Sequence, residues 1–170
     1  MKETNELINS LEDILVKEFR TLQSLMDITK RERLALAEKK IDDLMEIVEE
    51  KEVLLDQLGL MEESRQMITE KLAKRLGIKK KSYCLADILP EVDHYISERL
   101  NRLHGGITTL VEKTLIMNRG NSTLARSKID WLEAAQNFLL SIIPSSDSYS
   151  PPGNKVHQEL CPVSGIEHIV

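Results

Sequence analysis

The chain has 170 residues, of which 41% are hydrophobic and only 4% aromatic, and its formal net charge at pH 7 is −5. This length and apolar content suffice for one domain with a core, and a composition dominated by Leu, Ile, Glu and Lys is typical of long helices rather than sheets. The acidic balance, without a basic face, argues against nucleic acid or an anionic membrane as the main partner.

The N-terminal segment has charges that interrupt every apolar run, so it predicts neither a signal peptide nor a membrane-spanning segment. The two cysteines, Cys84 and Cys161, lie far apart and outside any CxxC spacing, which fits unpaired thiols in a reducing compartment. We therefore expect a cytoplasmic protein without membrane insertion.

Two apolar stripes with helical spacing occupy the first half of the chain. The second stripe runs from Ile41 to Leu58, and we expect a turn near Lys39 and Lys40, with Asp42 or Asp43 capping the new helix. A single kinked helix of about seventy residues is the alternative, because the turn contains neither Gly nor Pro. The first stripe alternates steps of three and four residues: Ile8, Leu11, Leu15, Phe19, Leu22 and Met26.

The second predicted helix ends at Gly77, which can take the left-handed conformation so that Ile78 packs back on the helix. The lysines at 79–81 would complement the negative end of this helix. Residues Ser82 to Leu89 predict a connector with one helical turn, and Pro90 is expected in the first turn of a third helix.

The third predicted helix, Glu91 to Ile143, carries Asn118 and Asn121 on its apolar stripe. An amide at a seam position more often sets register or partner choice than it adds stability. The sequence leaves open whether both amides instead bond to other helices of the same chain. Three glycines weaken this helix: Gly105, Gly106 and Gly120.

Helix lengths indicate an overhang. The first two helices would each span roughly 50 Å and the third nearer 80 Å, so the third would pass the turn near Ala125 if it runs antiparallel to the second. Exposed apolar residues beyond that point invite a helix from another chain, either a second copy or a client. The alternative is a break at Gly120 that folds the last third back. The overhanging residues are Trp131, Leu132, Phe138, Leu139 and Ile142.

The fold predicted from these patterns is all-α: an elongated antiparallel bundle of three long helices over residues 1–143, followed by a flexible tail over residues 144–170. The tail is rich in Ser, Pro and Gly.

Catalytic and metal-binding patterns are weak. His157 and Cys161 form only one helical pair in a Pro-flanked tail, and no HExxH spacing occurs. No nucleophile has a base and an orienting group in a known motif, and the paired acids lie beside lysines on helix faces. We expect no enzyme, no cofactor and no metal.

The run MNRGNSTLARSKIDWLEAAQNFLL resembles the C-terminal helix of the FlgN family of flagellar type III export chaperones, with Leu124 three residues after Asn121. Tyr149 and Gly153 are similar to the tail element of that family. The similarity covers most of residues 7 to 153, although the turn lacks the Gly-Asp pair often seen in the family. Seven residues resemble the family pattern of the first two helices: Glu32, Leu36, Lys51, Leu54, Leu55, Leu58 and Arg65.

This resemblance implies a cytosolic, non-enzymatic chaperone. Its clients would be the hook–filament junction (hook-associated) proteins, which it would deliver to the flagellar export gate or to export ATPase components. Tyr149 would dock at the export gate, unless it packs near Phe138. Self-association as a structural coiled coil is the alternative function. The residues assigned to partner binding are Asn118, Asn121, Leu124, Trp131, Leu132, Phe138 and Leu139.

Overall fold

In a computed structural model of the chain, which describes residues 2–38 and 40–142, every regular element is helical, and the predicted all-α class is confirmed for these residues. The chain divides into two units, Met1–Ile129 and Asp130–Val170. The predicted boundary between residues 143 and 144 stays a prediction. The elements are α1 (Lys2–Glu38), α2 (Ile41–Arg75), α3 (Leu85–Ile88), a 3-10 helix (Leu89–Glu91) and α4 (His94–Ile142).

The break between the first two helices falls at the predicted turn, since α1 ends at Glu38 and α2 begins at Ile41. A single helix through this region is therefore not formed, although Lys39 lies outside the described residues. The predicted capping role of the two aspartates is wrong. Lys40 occupies the cap position, without a side-chain hydrogen bond, and Asp42 and Asp43 lie in the first turn. There their charges complement the positive end of the helix dipole.

The end of α2 is the turn that the sequence predicts. Gly77 has a φ of +79°, which favours glycine. The Ile78 N–H donates to the Ala73 carbonyl oxygen at 3.0 Å, and the Gly77 N–H donates to the Lys74 carbonyl oxygen at 3.2 Å. These two bonds satisfy the last carbonyls of the helix and turn the chain.

The connector contains one short helix, α3, as predicted. Its Asp87 carboxylate accepts hydrogen bonds from the Cys84 N–H and thiol, and it pairs with Lys80. These donors, chiefly Lys80, lower the pKa of Asp87 to about 2. Lys80 therefore binds an acid of the connector rather than the end of α2.

The last helix begins later than predicted, at His94 instead of Glu91. Pro90 belongs to the preceding 3-10 helix. Asp93 caps α4: its carboxylate accepts the Tyr95 N–H at 2.9 Å, and its carbonyl accepts the Ser97 N–H at 2.8 Å. From there α4 continues without interruption to Ile142, so the alternative of a break at Gly120 is wrong.

The contacts between the long helices show in which direction neighbouring helices run along each other. Between α1 and α2, Glu3 pairs with Arg75 and Arg31 pairs with Glu50, so early residues of one helix meet late residues of the other. Between α1 and the first unit's part of α4, the residue numbers of the partners rise together. The pairs are Glu12 with Arg99, Phe19 with Gly106, Thr29 with Asn121, and Leu36 with Lys128.

The most deeply buried apolar residues gather where α1 begins and α2 ends. Each fully buried Leu or Ile contributes about 1.5–3 kcal/mol, so this region supplies most of the hydrophobic stabilisation. The connector contributes two buried residues of α3 to this core. The core residues are Ile8, Leu11, Leu15, Leu72, Ala73, Leu85, Ile88 and Leu100.

Candidate functional site

Five polar residues from α1, α2 and α4 meet in one hydrogen-bonded group, here called the polar cluster: Thr29, Glu32, Lys51, Asn118 and Asn121. Lys51 Nζ donates to Glu32 Oε2 at 2.7 Å and to Asn118 Oδ1 at 2.6 Å. Asn121 Nδ2 donates to the Thr29 carbonyl oxygen at 2.9 Å and to Glu32 Oε2 at 2.8 Å. The cluster therefore connects all three long helices.

Both amides of α4 thus bond to other helices of the same chain, which is the arrangement that the sequence left open. Asn121 is only 2% exposed, and its Oδ1 has no hydrogen-bond partner among the described residues. The side chains of Lys51 and Glu32 are each 14% exposed. A shift of α4 would leave these buried polar groups without hydrogen-bond partners, which costs free energy. The contacts therefore favour one register of α4 against α1 and α2.

Lys128 makes a further contact between α4 and α1. Its ammonium group donates to the carbonyl oxygen of Leu36 and to that of Ala37, the latter at 3.4 Å. These carbonyls lie in the last turn of α1. A positive charge there satisfies unpaired acceptors and interacts favourably with the negative end of the helix dipole. The sequence predicted that α4 would pass the turn near Ala125, and this contact lies three residues later.

Residues 130–142 of the second unit carry a run of large apolar side chains on the surface. Trp131 is 63% exposed and Phe138 is 65% exposed, and Leu132 and Leu139 are exposed to a similar degree. Among the predicted partner-binding residues, only Leu124 and the two amides are buried or half-buried. Contiguous exposed apolar surface of this kind marks interaction sites in soluble proteins.

The exposed residues continue the helical pattern that packs α4 against α1. Steps of three and four residues lead from Asn121 through Leu124 and Lys128 to Trp131. The same steps continue beyond it to Ala135, Phe138 and Ile142. A heptad pattern of this type is typical of a helix that packs against a facing helix along its whole length. We call the apolar residues at positions 131, 132, 138, 139 and 142 the apolar stripe.

A second buried charge lies nearer the core. Glu18 is 6% exposed, and its carboxylate accepts a hydrogen bond from Arg65 Nε at 3.2 Å. Burial raises the pKa of Glu18 above its ordinary value, and the attraction of Arg65 opposes this effect without cancelling it. The same Arg65 Nε donates to Glu62 at 3.1 Å.

The sequence did not predict that Glu32 and Lys51 would meet Asn118 and Asn121. A usable signal existed, since each is a polar residue within an otherwise apolar stripe.

Tyr149, the residue assigned to docking at the export gate, lies outside the described residues. Among the described residues, no group of three or more His, Cys, Asp or Glu side chains could hold a metal ion. No helix in the described part of the chain is long and apolar enough to cross a membrane.

The described residues define an all-helical protein in which a polar cluster joins the three long helices, and whose last helix carries a run of exposed apolar residues. The model of the FlgN protein family matches residues 1–157, so the chain belongs to that family and the predicted resemblance is confirmed. Family membership points to a role as a flagellar export chaperone and not as an enzyme. No curated protein and no solved structure matches the chain.

Proposed function

We propose that this protein is a cytoplasmic chaperone that binds hook–filament junction proteins and delivers them to the flagellar type III export apparatus. The observation that carries the proposal is the exposure of the apolar stripe on α4, which continues a heptad pattern that is buried earlier in the same helix. Membership of the FlgN family supports the same role.

The scaffold in this proposal is an antiparallel bundle of three helices. α1 and α2 form a helical hairpin, and residues 94–129 of α4 lie along it, parallel to α1. The two orders of interhelical contact support this arrangement. The polar cluster then determines which part of α4 is used inside the bundle and which part remains for a partner.

The client contributes an amphipathic helix whose apolar face packs on Leu124, Trp131 and Leu132 at one end and on Phe138 and Leu139 at the other. Burying a large apolar side chain is worth about 1.5–3 kcal/mol, and interfaces concentrate their energy in a few such residues. A client segment that is disordered before export could fold on this surface. Asn118 and Asn121 act by setting the register of α4 rather than by contributing apolar area.

Delivery depends on the tail in this proposal. Tyr149 is an amphipathic aromatic residue within a Ser- and Pro-rich segment, and it would dock weakly in a pocket of the export gate or of an export ATPase component. In this proposal the client and the export machinery use different residues, since Tyr149 is not among the residues assigned to client binding.

Purified junction proteins, titrated one at a time into the chaperone, test the proposal. We expect calorimetry to detect a complex with at least one of them, and light scattering to find the chaperone alone as a monomer. The alternative is a structural coiled coil that pairs its apolar stripe with a second copy. A stable oligomer that forms without client and binds no junction protein would establish that alternative instead.

A further inference from the structure

A second exposed apolar surface lies between α2 and α4, within the first unit and apart from the apolar stripe. The contact of Lys51 with Asn118 shows that the two helices are neighbours there. Val48 and Leu55 lie one turn before and one turn after Lys51, and Leu115 lies one turn before Asn118. Val48 is 40% exposed, and Leu55 and Leu115 are each 50% exposed.

At one end this surface opens into a hollow of about 290 Å³. Its floor is formed by Leu15, Glu18 and Leu22 of α1, and its walls include Leu58 of α2 and Val111 of α4. These three residues of α1 are almost fully buried, with Leu15 1% exposed, so the opening of the hollow lies on the side of α2 and α4. Val111 is 37% exposed at the rim. We call the surface from Val48 to this hollow the α2–α4 groove.

The length of the groove suits a short helix. Val48 and Leu58 are ten residues apart on α2, which corresponds to about 15 Å, or about three helical turns. A fourth helix laid along two neighbouring helices of a bundle packs its apolar face into such a seam. The hollow at the end of the groove is large enough to take one apolar side chain.

The α2 side of the groove is acidic. Glu49, Glu52, Asp56 and Glu63 are spaced by three, four and seven residues, so they share the flank of α2 next to Leu55. All four are exposed, and among the described residues none of them forms an ion pair. The α4 side is mixed, since Glu112 and Arg119 both lie on its outer surface.

We propose that the α2–α4 groove binds one amphipathic helix of a partner protein, with apolar residues on its inner face and Lys or Arg on the flank that faces α2. Complementary charge accounts for the basic flank, because four adjacent carboxylates attract cations and repel an acidic helix. The groove is formed by residues of the first unit, none of which belongs to the apolar stripe.

Two synthetic peptides of about 18 residues test this assignment. Both carry the same leucine stripe, and one has lysines on a single flank where the other has glutamates. We expect the lysine peptide to bind the full chain at least about tenfold more tightly than the glutamate peptide in fluorescence anisotropy, and to bind more weakly at high salt. Equal binding of both peptides would overturn the proposal.

Variants locate the binding site. Leu55→Ser with Leu115→Ser should abolish binding of the lysine peptide, whereas the matched control Val53→Ser with Leu60→Ser should not, since these exposed residues lie on the opposite side of α2. Charge reversal by Glu52→Lys with Asp56→Lys should abolish the preference between the two peptides, because the flank then carries two cations and two anions. Circular dichroism of each variant verifies that the fold is kept.

Two results of these experiments would assign the peptide to another site or the groove to another occupant. Loss of peptide binding in Trp131→Ala with Phe138→Ala, and not in the groove variants, would assign the peptide to the apolar stripe and reject the proposal. A dimer in sedimentation that disappears in Leu55→Ser with Leu115→Ser would assign the groove to a second copy of this chain and also reject it.

Discussion

The Nζ of Lys51 lies 2.6 Å from the Oδ1 of Asn118, although the two residues are 67 positions apart in the chain. Lys51 also binds Glu32, whose carboxylate accepts the Asn121 amide as well. One ammonium group therefore connects α1, α2 and α4 at a single level. Sliding α4 by one turn would separate these partners and leave buried polar groups without hydrogen bonds, which costs about 1–3 kcal/mol for each group.

The first prediction concerns this ion pair. Lys51→Met leaves the carboxylate of Glu32, which is 14% exposed, without its cation, and we expect the free energy of unfolding to fall by about 2–3 kcal/mol. The double variant Lys51→Met with Glu32→Met should recover most of the loss, because no isolated charge remains. Urea denaturation measures all three proteins. A double variant as unstable as the single one would contradict the importance of the charge pair.

The second prediction compares two adjacent glycines of α4. A Cβ at Gly106 would lie 2.9 Å from Cε2 of Phe19, whereas a Cβ at Gly105 meets nothing within 4 Å. Gly105→Ala should therefore stabilise the protein by up to about 1 kcal/mol through helix propensity. Gly106→Ala should be less stable than Gly105→Ala by about 1–3 kcal/mol, because the Phe19 ring must move.

Thermal unfolding of both alanine variants checks this difference. Phe19→Leu in the Gly106→Ala background serves as the control, since a smaller side chain should remove the overlap and restore stability. If Gly106→Ala is as stable as Gly105→Ala, then α4 does not approach α1 as closely as the structure indicates.

The third prediction uses the buried carboxylate of Glu18. Burial raises its pKa above the ordinary value of 4.5, so folding favours the protonated form. Its contribution to stability is complete below the unfolded pKa and is lost as pH rises through the folded pKa. Arg65 and Glu62 line the same hollow and supply the neighbouring charges, Arg65 lowering the pKa of Glu18 and Glu62 raising it.

Glu18→Gln cannot ionise, so its stability relative to the natural protein should increase as pH rises from about 4 to about 7. Denaturation curves at several pH values measure this difference. A difference that stays constant would show that the Arg65 attraction cancels the effect of burial, and one that grows towards acid pH would show that it outweighs burial; either result contradicts the prediction.

The long helices are predictable from the sequence because apolar spacing alone defines their buried faces. Gly77 marks the end of α2 for a similarly local reason: only a few residue types adopt its backbone conformation. The start of α4 was misjudged because two local signals compete. Pro90 suits a first helical turn, but Asp93 supplies the side-chain cap that the chain uses.

Polar residues within apolar stripes marked the members of the polar cluster, but their pairing was not predictable, since it depends on the register between helices that are far apart in the chain. Apolar spacing shows which face of α4 is buried but not which residue of α2 it meets. The sequence is equally consistent with Asn118 facing a partner protein and with Asn118 facing Lys51. The contact of Lys128 with the end of α1 was not predicted either. Its acceptors are backbone carbonyls, which carry no sequence signal.

The fourth prediction separates delivery from client binding. We expect Tyr149→Ala to leave the melting temperature and the client affinity unchanged but to reduce secretion of the junction proteins, since the tail docks on the export machinery in the proposed function. Measuring all three properties in one variant decides the role. Unchanged secretion rejects docking, and a lowered melting temperature favours packing of Tyr149 against the bundle.

The fifth prediction concerns the two aromatic residues of the apolar stripe. Trp131 and Phe138 lie two turns apart and are each more than half exposed, so replacing both by alanine should hardly change the helical content of the chain. The same change removes the largest apolar area offered to a client. Leu34→Ser, at a residue of α1 that is 61% exposed, provides a matched control for loss of exposed apolar surface.

The most direct test of the central claim is the calorimetric affinity of the chaperone for its junction protein, compared between the natural chain and Trp131→Ala with Phe138→Ala. We predict that the double variant binds at least about a hundredfold more weakly, which corresponds to about 2.7 kcal/mol, while its circular dichroism is unchanged and Leu34→Ser binds normally. Unchanged affinity in the double variant, or loss of helicity, would contradict the assignment of client binding to the apolar stripe.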